Sequence, residues 1–170
     1  LKEDGLYNNK TGARVRALGV VHVFGNMADM PRLLDIARRY KLILIEDATE
    51  ALGTRYTAGP LAGKVAGTMG DIGCYSFNGN KIMTTGAGGF VVSNHADWAE
   101  HAKHLSTQAK ADMLQFLHDE VGYNYRMTNV QACLGLAQLE RLESFVETKK
   151  ARYDQYKAAL DLSLIHISEP

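Results

Sequence analysis

Proline is scarce in this chain, with 3 among 170 residues, and cysteine scarcer still, with 2. So little proline excludes a proline-rich linker or low-complexity tract. Cys74 and Cys133 both lie inside apolar runs, which excludes a disulfide framework and reads them as small core residues of a reducing compartment. Charge of one sign is also lacking. Nineteen Lys plus Arg balance nineteen Asp plus Glu, so no net field exists to hold nucleic acid or an anionic membrane. Any anion this protein binds must be caught by a local site. No apolar run reaches the length of a membrane span, and no basic segment precedes an apolar one at the N-terminus. A cytoplasmic protein is expected, with neither nucleic acid nor membrane as partner. The 46% hydrophobic content and 16 glycines are those of an ordinary globular domain with one core. Because the chain opens on Leu1 and stops at Pro170, both ends read as cuts.

Hydrophobic periodicity predicts an α/β fold. Residues 15–24 (VRALGVVHVF) form a nearly continuous apolar run, as in a strand covered on both faces. Residues 31–40 place Leu33, Leu34, Ile36 and Ala37 opposite Arg32, Asp35, Arg38 and Arg39. That is an amphipathic helix, with Asp29 or Met30 near the cap and Pro31 at the first helical position. Residues 42–45 (LILI) make a second apolar strand, so strand, helix and strand compose a parallel crossover unit. The next stretch is crowded with glycine and reads as irregular surface chain. Strands follow at 72–77 and 88–93, joined by too few residues for a crossover helix, so the last is expected to run antiparallel. A helix over 97–105 turns Trp98, Ala102 and Leu105 inward. Residues 128–160 read as one long helix or two, capped by Thr128 or Asn129, with an apolar stripe through Val130, Cys133, Leu134, Ala137, Leu142, Phe145 and Val146.

The clearest chemical signal is a silence of charge. Between Asp71 and His95 the one acidic or basic side chain is Lys81, in SFNGNKIMTTGAGG between two predicted strands. A lysine so placed is partly desolvated, which favours its neutral, nucleophilic form and allows attack on a carbonyl. The plain alternative is a solvated loop lysine. Ser76, Asn78 and Gly79 upstream, with Thr84, Thr85 and Gly86 downstream, offer hydroxyls and backbone amides suited to a phosphate. Asp47 ends a parallel strand, where α/β proteins bind ligands; its plain alternative is a cap for the chain that follows. Glu46 and Glu50 flank it, yet no histidine lies near enough to complete a metal site, and none is expected. The six histidines show no ligand spacing, and His101 and His104 read as surface residues. GAGG at 86–89 precedes a strand rather than linking strand to helix, so it is turn chemistry and not a dinucleotide fingerprint. Residues 118–127 (HDEVGYNYRM) read alone as a surface loop.

Three motifs taken together resemble a family. IEDATEALGTRY, then GDIGCYSFNGNKIMTTGAGGFVVSN, then GYNYRMTNVQACLGLAQLERL are similar, in order and spacing, to the DegT/DnrJ/EryC1/StrS family of pyridoxal-phosphate-dependent nucleotide-sugar aminotransferases. The likeness runs from about Ala13 to Leu160. HDEVGYNYRM with HLSTQAK is similar to the branch acting on 4-keto-6-deoxy nucleotide sugars, such as the bacillosamine, legionaminic acid and perosamine enzymes. The resemblance implies part of the large domain of a fold-type I transferase, a mostly parallel sheet flanked by helices. It implies that Lys81 holds pyridoxal 5'-phosphate (PLP) covalently and shuttles a proton, and that Asp47 keeps the pyridinium nitrogen protonated. Ser76 would contact the cofactor phosphate. Glu50 stands near the ring where relatives commonly carry Gln or His. Asn124 would reach the phosphate of a neighbouring subunit's cofactor, implying a homodimer with shared sites, and Arg126 would anchor anionic groups or the dimer edge.

The implied substrates are a nucleotide sugar and an amino donor, glutamate, in surface-polysaccharide or glycan sugar biosynthesis. Some relatives carry His at the position of Lys81 and dehydrate instead. Lysine favours transamination, while a dehydratase and a non-catalytic regulator remain the alternatives. On this reading residues 1–161 are part of the cofactor-binding domain, with the last helix leading toward a small domain that is missing. The family's upstream phosphate-binding segment is missing too, so the chain alone is expected to bind cofactor poorly and to leave apolar sheet surface uncovered. Residues 162–170 (LSLIHISEP) leave the family pattern and resemble a tail translated from a sequencing adapter; a native β-strand is the alternative.

Overall fold

A computed structural model describes residues 5–160; the segment read as a foreign tail lies outside the described residues. Chain order is β1 (Leu6–Tyr7), β2 (Arg14–Val15), β3 (Ala17–Val21), α1 (Met30–Tyr40), β4 (Ile43–Asp47), β5 (Ile72–Ser76), β6 (Gly89–Ser93), α2 (Ala96–Ser106), β7 (Lys110–Asp112), β8 (Leu117–His118), α3 (Asn129–Leu139) and α4 (Leu142–Leu160). A four-stranded sheet, ordered β3-β4-β5-β6, forms the centre. β3, β4 and β5 are parallel, and β6 returns antiparallel to β5. The α/β class, the parallel pairing of β3 with β4 and the antiparallel return of β6 are as the sequence predicts.

Local chemistry sets the crossover. The Arg32 N–H donates to Asp29 Oδ1 (3.3 Å) at the start of α1, Pro31 sits in the first turn where an N–H has no helical partner, and Lys41 ends the helix in the left-handed region. Met30 and Ala37 are buried against Leu44, with Leu18, Val20, Leu33 and Leu34 around them. Burying that apolar stripe supplies most of the stability of a short helix.

Side chains alternate along a strand, and cross-strand partners share a face. Leu18, Val20, Leu44, Glu46 and Tyr75 therefore line the face covered by α1 and the 48–71 loop. Tyr75 donates to the Ala66 carbonyl (2.5 Å), and its ring lies 4.7 Å from that of Phe90. The loop presses so close that a Cβ on Gly73 would lie 1.8 Å from the Gly67 carbonyl oxygen, so only glycine fits there.

Two expectations need correction. β3 is not covered on both faces: it is a sheet edge among the described residues, and its burial alternates. Val21 (53% exposed) and, across the sheet, Val91 (57%) mark an open second face. The apolar run also ends early, because residues Val23–Gly25 form a 3₁₀ turn. The second correction concerns 128–160. The stretch forms two helices, α3 and α4, one of the two readings the sequence allows, and Thr128 caps the first as expected, in a capping box with Gln131; what changes is the stripe. The stripe of Val130, Cys133, Leu134 and Ala137 on α3 faces outward, and Cys133 is an exposed thiol rather than a core residue. What α3 packs inward is Gly135, against Thr85 and Met83, and Gln138, whose amide donates to the Thr84 carbonyl (2.6 Å) and accepts from the Thr84 N–H (3.0 Å). Periodicity tells which face of a helix is apolar, not what covers it. On α2, Trp98 and Leu105 are half-buried as expected while Ala102 is exposed.

Candidate active site

Three strands deliver their carboxyl ends to one edge of the sheet. Val21 and Asp47 are register partners, as are Asp47 and Cys74, and Ser76 closes β5. Asp47 and Ser76 thus lie on the open face, while Glu46, one residue earlier, points to the covered one. Asp47 Oδ1 accepts from the Thr49 N–H (3.0 Å), which fixes the carboxylate without a helix after it. Its Oδ2 has no partner among the described residues. Burial, and then the Asp47 charge, push the Cys74 thiol above its ordinary range, which disfavours the thiolate.

Lys81 occupies the loop between β5 and β6. That loop is pinned at its neck: Phe77 N–H donates to the Gly88 carbonyl (2.9 Å), and Thr85 N–H and Thr84 Oγ1 both donate to the Phe77 carbonyl (3.0 Å each). Thr84 Oγ1 also accepts from Gly86 N–H (2.9 Å), and Thr85 Oγ1 donates to the Ala87 carbonyl (2.5 Å). Those threonines, expected from the sequence to suit a phosphate, are instead occupied in closing the loop. Ser76 keeps its proton available, since among the described residues its Oγ only accepts, from Asn78 N–H (3.4 Å). The Lys81 side chain is 16% exposed, and its Nζ lies 3.7 Å from Glu50 Oε1. Glu50 is in turn held through Oε2, which accepts from the Phe24 N–H (2.8 Å).

Sequence reasoning missed Phe24. Its φ of 54° is left-handed and its ring is 85% exposed at the rim. Gly25-Asn26 signalled a turn there but not which side chain it would present. Reasoning also missed His22 and the place of Glu46. Ala28 N–H donates to His22 Nδ1 (3.2 Å), which leaves the proton on Nε2 and directs it to Glu46 Oε2 (3.0 Å). Glu46 further accepts from the N–H groups of Gly67 (2.8 Å), Met69 (2.6 Å) and Gly70. Burial pushes the Glu46 carboxyl up, but these hydrogen bonds outweigh it and hold the group below its ordinary value. Glu46 and Asp47 cannot share an ion, being on opposite faces.

Asn124 and Arg126 are exposed, and among the described residues neither side chain makes a hydrogen bond. Asn124 is placed by a backbone bridge to Thr107. The fold therefore sets Asp47 and Ser76 on one face at the ends of β4 and β5 and pairs Glu50 with Lys81 in the segments that follow those strands, while Asn124 and Arg126 belong to the strip bridged to Thr107.

This is the α/β fold of the PLP-dependent aminotransferases. The aminotransferase TlmJ from Streptoalloteichus hindustanus superposes with a TM-score of 0.82 at 29% identity, over 91% of this chain and 41% of that one. Residues 8–166 match the DegT/DnrJ/EryC1/StrS aminotransferase family, and the chain belongs to it. It is 41% identical to GDP-perosamine synthase of Escherichia coli O157:H7, over 91% of this chain and 41% of that protein. It is 40% identical to EpsN of Bacillus subtilis, named a putative pyridoxal phosphate-dependent aminotransferase, over 89% of this chain and 38% of that protein. The chain thus spans about two-fifths of the length of the relatives it matches.

Proposed function

We propose that this chain carries the cofactor-binding part of a PLP-dependent enzyme that transfers an amino group from glutamate to a 4-keto-6-deoxy nucleotide sugar, in the cytoplasm, for surface-polysaccharide or glycan synthesis. The observation that carries the reading is the mostly buried Lys81, held beside Glu50 at the strand edge that also presents Asp47 and Ser76. The relatives named above are aminotransferases or sugar-nucleotide synthases of the same class, and Lys81 itself favours transamination over dehydration.

The residues present fit the cofactor's chemistry. A shielded amine suits an aldehyde, a carboxylate oxygen without a partner suits a protonated ring nitrogen, and an available hydroxyl suits a phosphate. When bound, PLP supplies an electron sink for a carbanion. Lys81 binds it through Nζ, then takes and returns the proton at the carbon that loses or gains nitrogen. Asp47 holds the proton on the ring nitrogen. Ser76 donates to the phosphate, and Asn124 with Arg126 serve the site of a second subunit in a homodimer. Glu50 steadies Nζ from the side that Phe24 borders.

Residues 1–161 are, on this reading, part of the large domain, and 162–170 a foreign tail; a coding sequence running without a junction into a small domain would overturn the tail. The functional test uses the whole enzyme with glutamate and a keto-sugar nucleotide. Lys81→Ala is expected to abolish both turnover and borohydride-trapped cofactor. Normal turnover in that variant would sink the mechanism, and a product without nitrogen from glutamate would replace it with a dehydratase.

A further inference from the structure

The 107–126 segment folds back on the end of α2 through a set of backbone hydrogen bonds. Tyr123 N–H donates to the Leu105 carbonyl (2.9 Å), Tyr125 N–H to Ser106 (3.0 Å), Gln108 N–H to Tyr123 (3.1 Å) and Asp119 N–H to Ala109 (3.2 Å). Gln108 and Ala109 take left-handed φ values of 70° and 49°, and a Cβ on Gly122 would lie 2.4 Å from the Ala109 nitrogen. This close approach sets two consecutive acids, Asp119 and Glu120, against two histidines one turn apart on α2.

His104 Nε2 lies 2.6 Å from Asp119 Oδ1, and His101 Nε2 lies 3.0 Å from both oxygens of Glu120. Ligand atoms of His104, Asp119 and Glu120 all fall within 4.8 Å of one another. We propose that His104, Asp119 and Glu120 form a site for a divalent transition metal of the zinc class, with His101 orienting the Glu120 carboxylate. One imidazole and two carboxylates are donors that such ions accept, with ligand distances of about 2.0–2.2 Å. A tetrahedral ion at that distance needs donor atoms about 3.3 Å apart. The His104–Asp119 pair opens by less than 1 Å to admit it, and Glu120 closes by side-chain rotation over a fixed backbone. A hydrogen bond from His101 to a ligating carboxylate is the kind of outer support that such sites use. The ion would staple the strip bearing Asn124 and Arg126 to α2.

The cluster sets the two carboxylates of Asp119 and Glu120 against the imidazoles of His104 and His101, and acidic oxygens are donors that attract a cation. His95 with Asp71 (2.9 Å) is a similar pair without a third donor among the described residues, and supplies an internal control.

Calorimetric titration of the 170-residue chain with Zn²⁺ tests the proposal. Saturable uptake of one ion per chain is expected. His104→Ala and Asp119→Asn should each weaken it by about tenfold or more, at least the cost of losing an outer-shell partner; His95→Ala should leave it unchanged. No saturable uptake, or equal losses from His95→Ala, would overturn the site. Imidazole NMR of the unmutated chain gives a second readout: Zn²⁺ must shift the His104 ring and spare His95, and a spectrum in which His104 does not move excludes the site whatever the variants do.

Discussion

Glu46 and Asp47 are neighbours on one strand, and the alternation of β4 sends them to opposite fates. Glu46 is fully buried, with His22 and three backbone N–H groups on its oxygens. Asp47 faces the open side with one oxygen engaged by Thr49 and the other unpartnered among the described residues. A carboxylate whose acceptor capacity is spent on the fold can do no chemistry, whereas one left half-satisfied at a strand end is available to a ligand. The same residue type therefore serves stability at one position and chemistry at the next.

The largest expected effect tests the structural side of that contrast. Glu46→Ala leaves His22 and several amides buried without a partner, and should cost about 3–5 kcal/mol in urea denaturation. Asp47→Ala loses a single hydrogen bond and should cost about 1 kcal/mol. The comparison also has a pH form. The folded-state pKa of Glu46 lies below its ordinary 4.5, so its contribution is fully present above about 4.5 and lost as pH falls through the lower folded value. Glu46→Gln should flatten the acid limb of stability against pH, and an unchanged limb would show that other carboxyls carry it.

The chemical side predicts a smaller free-energy effect. In the whole enzyme, Asp47→Asn should slow proton abstraction by about 10²–10³-fold, the range for losing one preorganised electrostatic partner, with much less effect on cofactor affinity. Single-turnover kinetics against a cofactor titration separates the two, and a loss confined to affinity would make Asp47 a mere holder. The smallest effect is expected at Glu50→Gln. Its amide oxygen still accepts from Phe24, so the fold should change by less than about 1 kcal/mol, as for a partly exposed ion pair. A larger loss in thermal denaturation would move Glu50 to the structural class with Glu46.

The crossover unit was legible because its signals are local: an apolar run, Asp29 and Pro31 at a helix start, a second run. Lys81 stood out because its surroundings carry no other charge. Glu50 was legible too, but its pairing with Lys81 was not, since the 48–71 loop brings the two together and no periodicity encodes that path. The His22–Glu46 network was hidden for a like reason, as Glu46 looked like one more polar residue at a strand end. β7 and β8 are too short for alternation to show, and the outward turn of the α3 stripe depends on what packs against Thr84 and Thr85, not on the stripe itself.

The pinned neck at Phe77 has a thermodynamic consequence. A loop held at both ends loses its conformational freedom when the chain folds, so little ordering entropy is left to lose when Lys81 engages a ligand. Affinity at Lys81 is then tied to the local opening equilibrium of the Phe77–Gly88 and Phe77–Thr85 bonds: whatever loosens that neck, even at Gln138 on the far helix, dilutes the competent state and weakens binding by the same fraction.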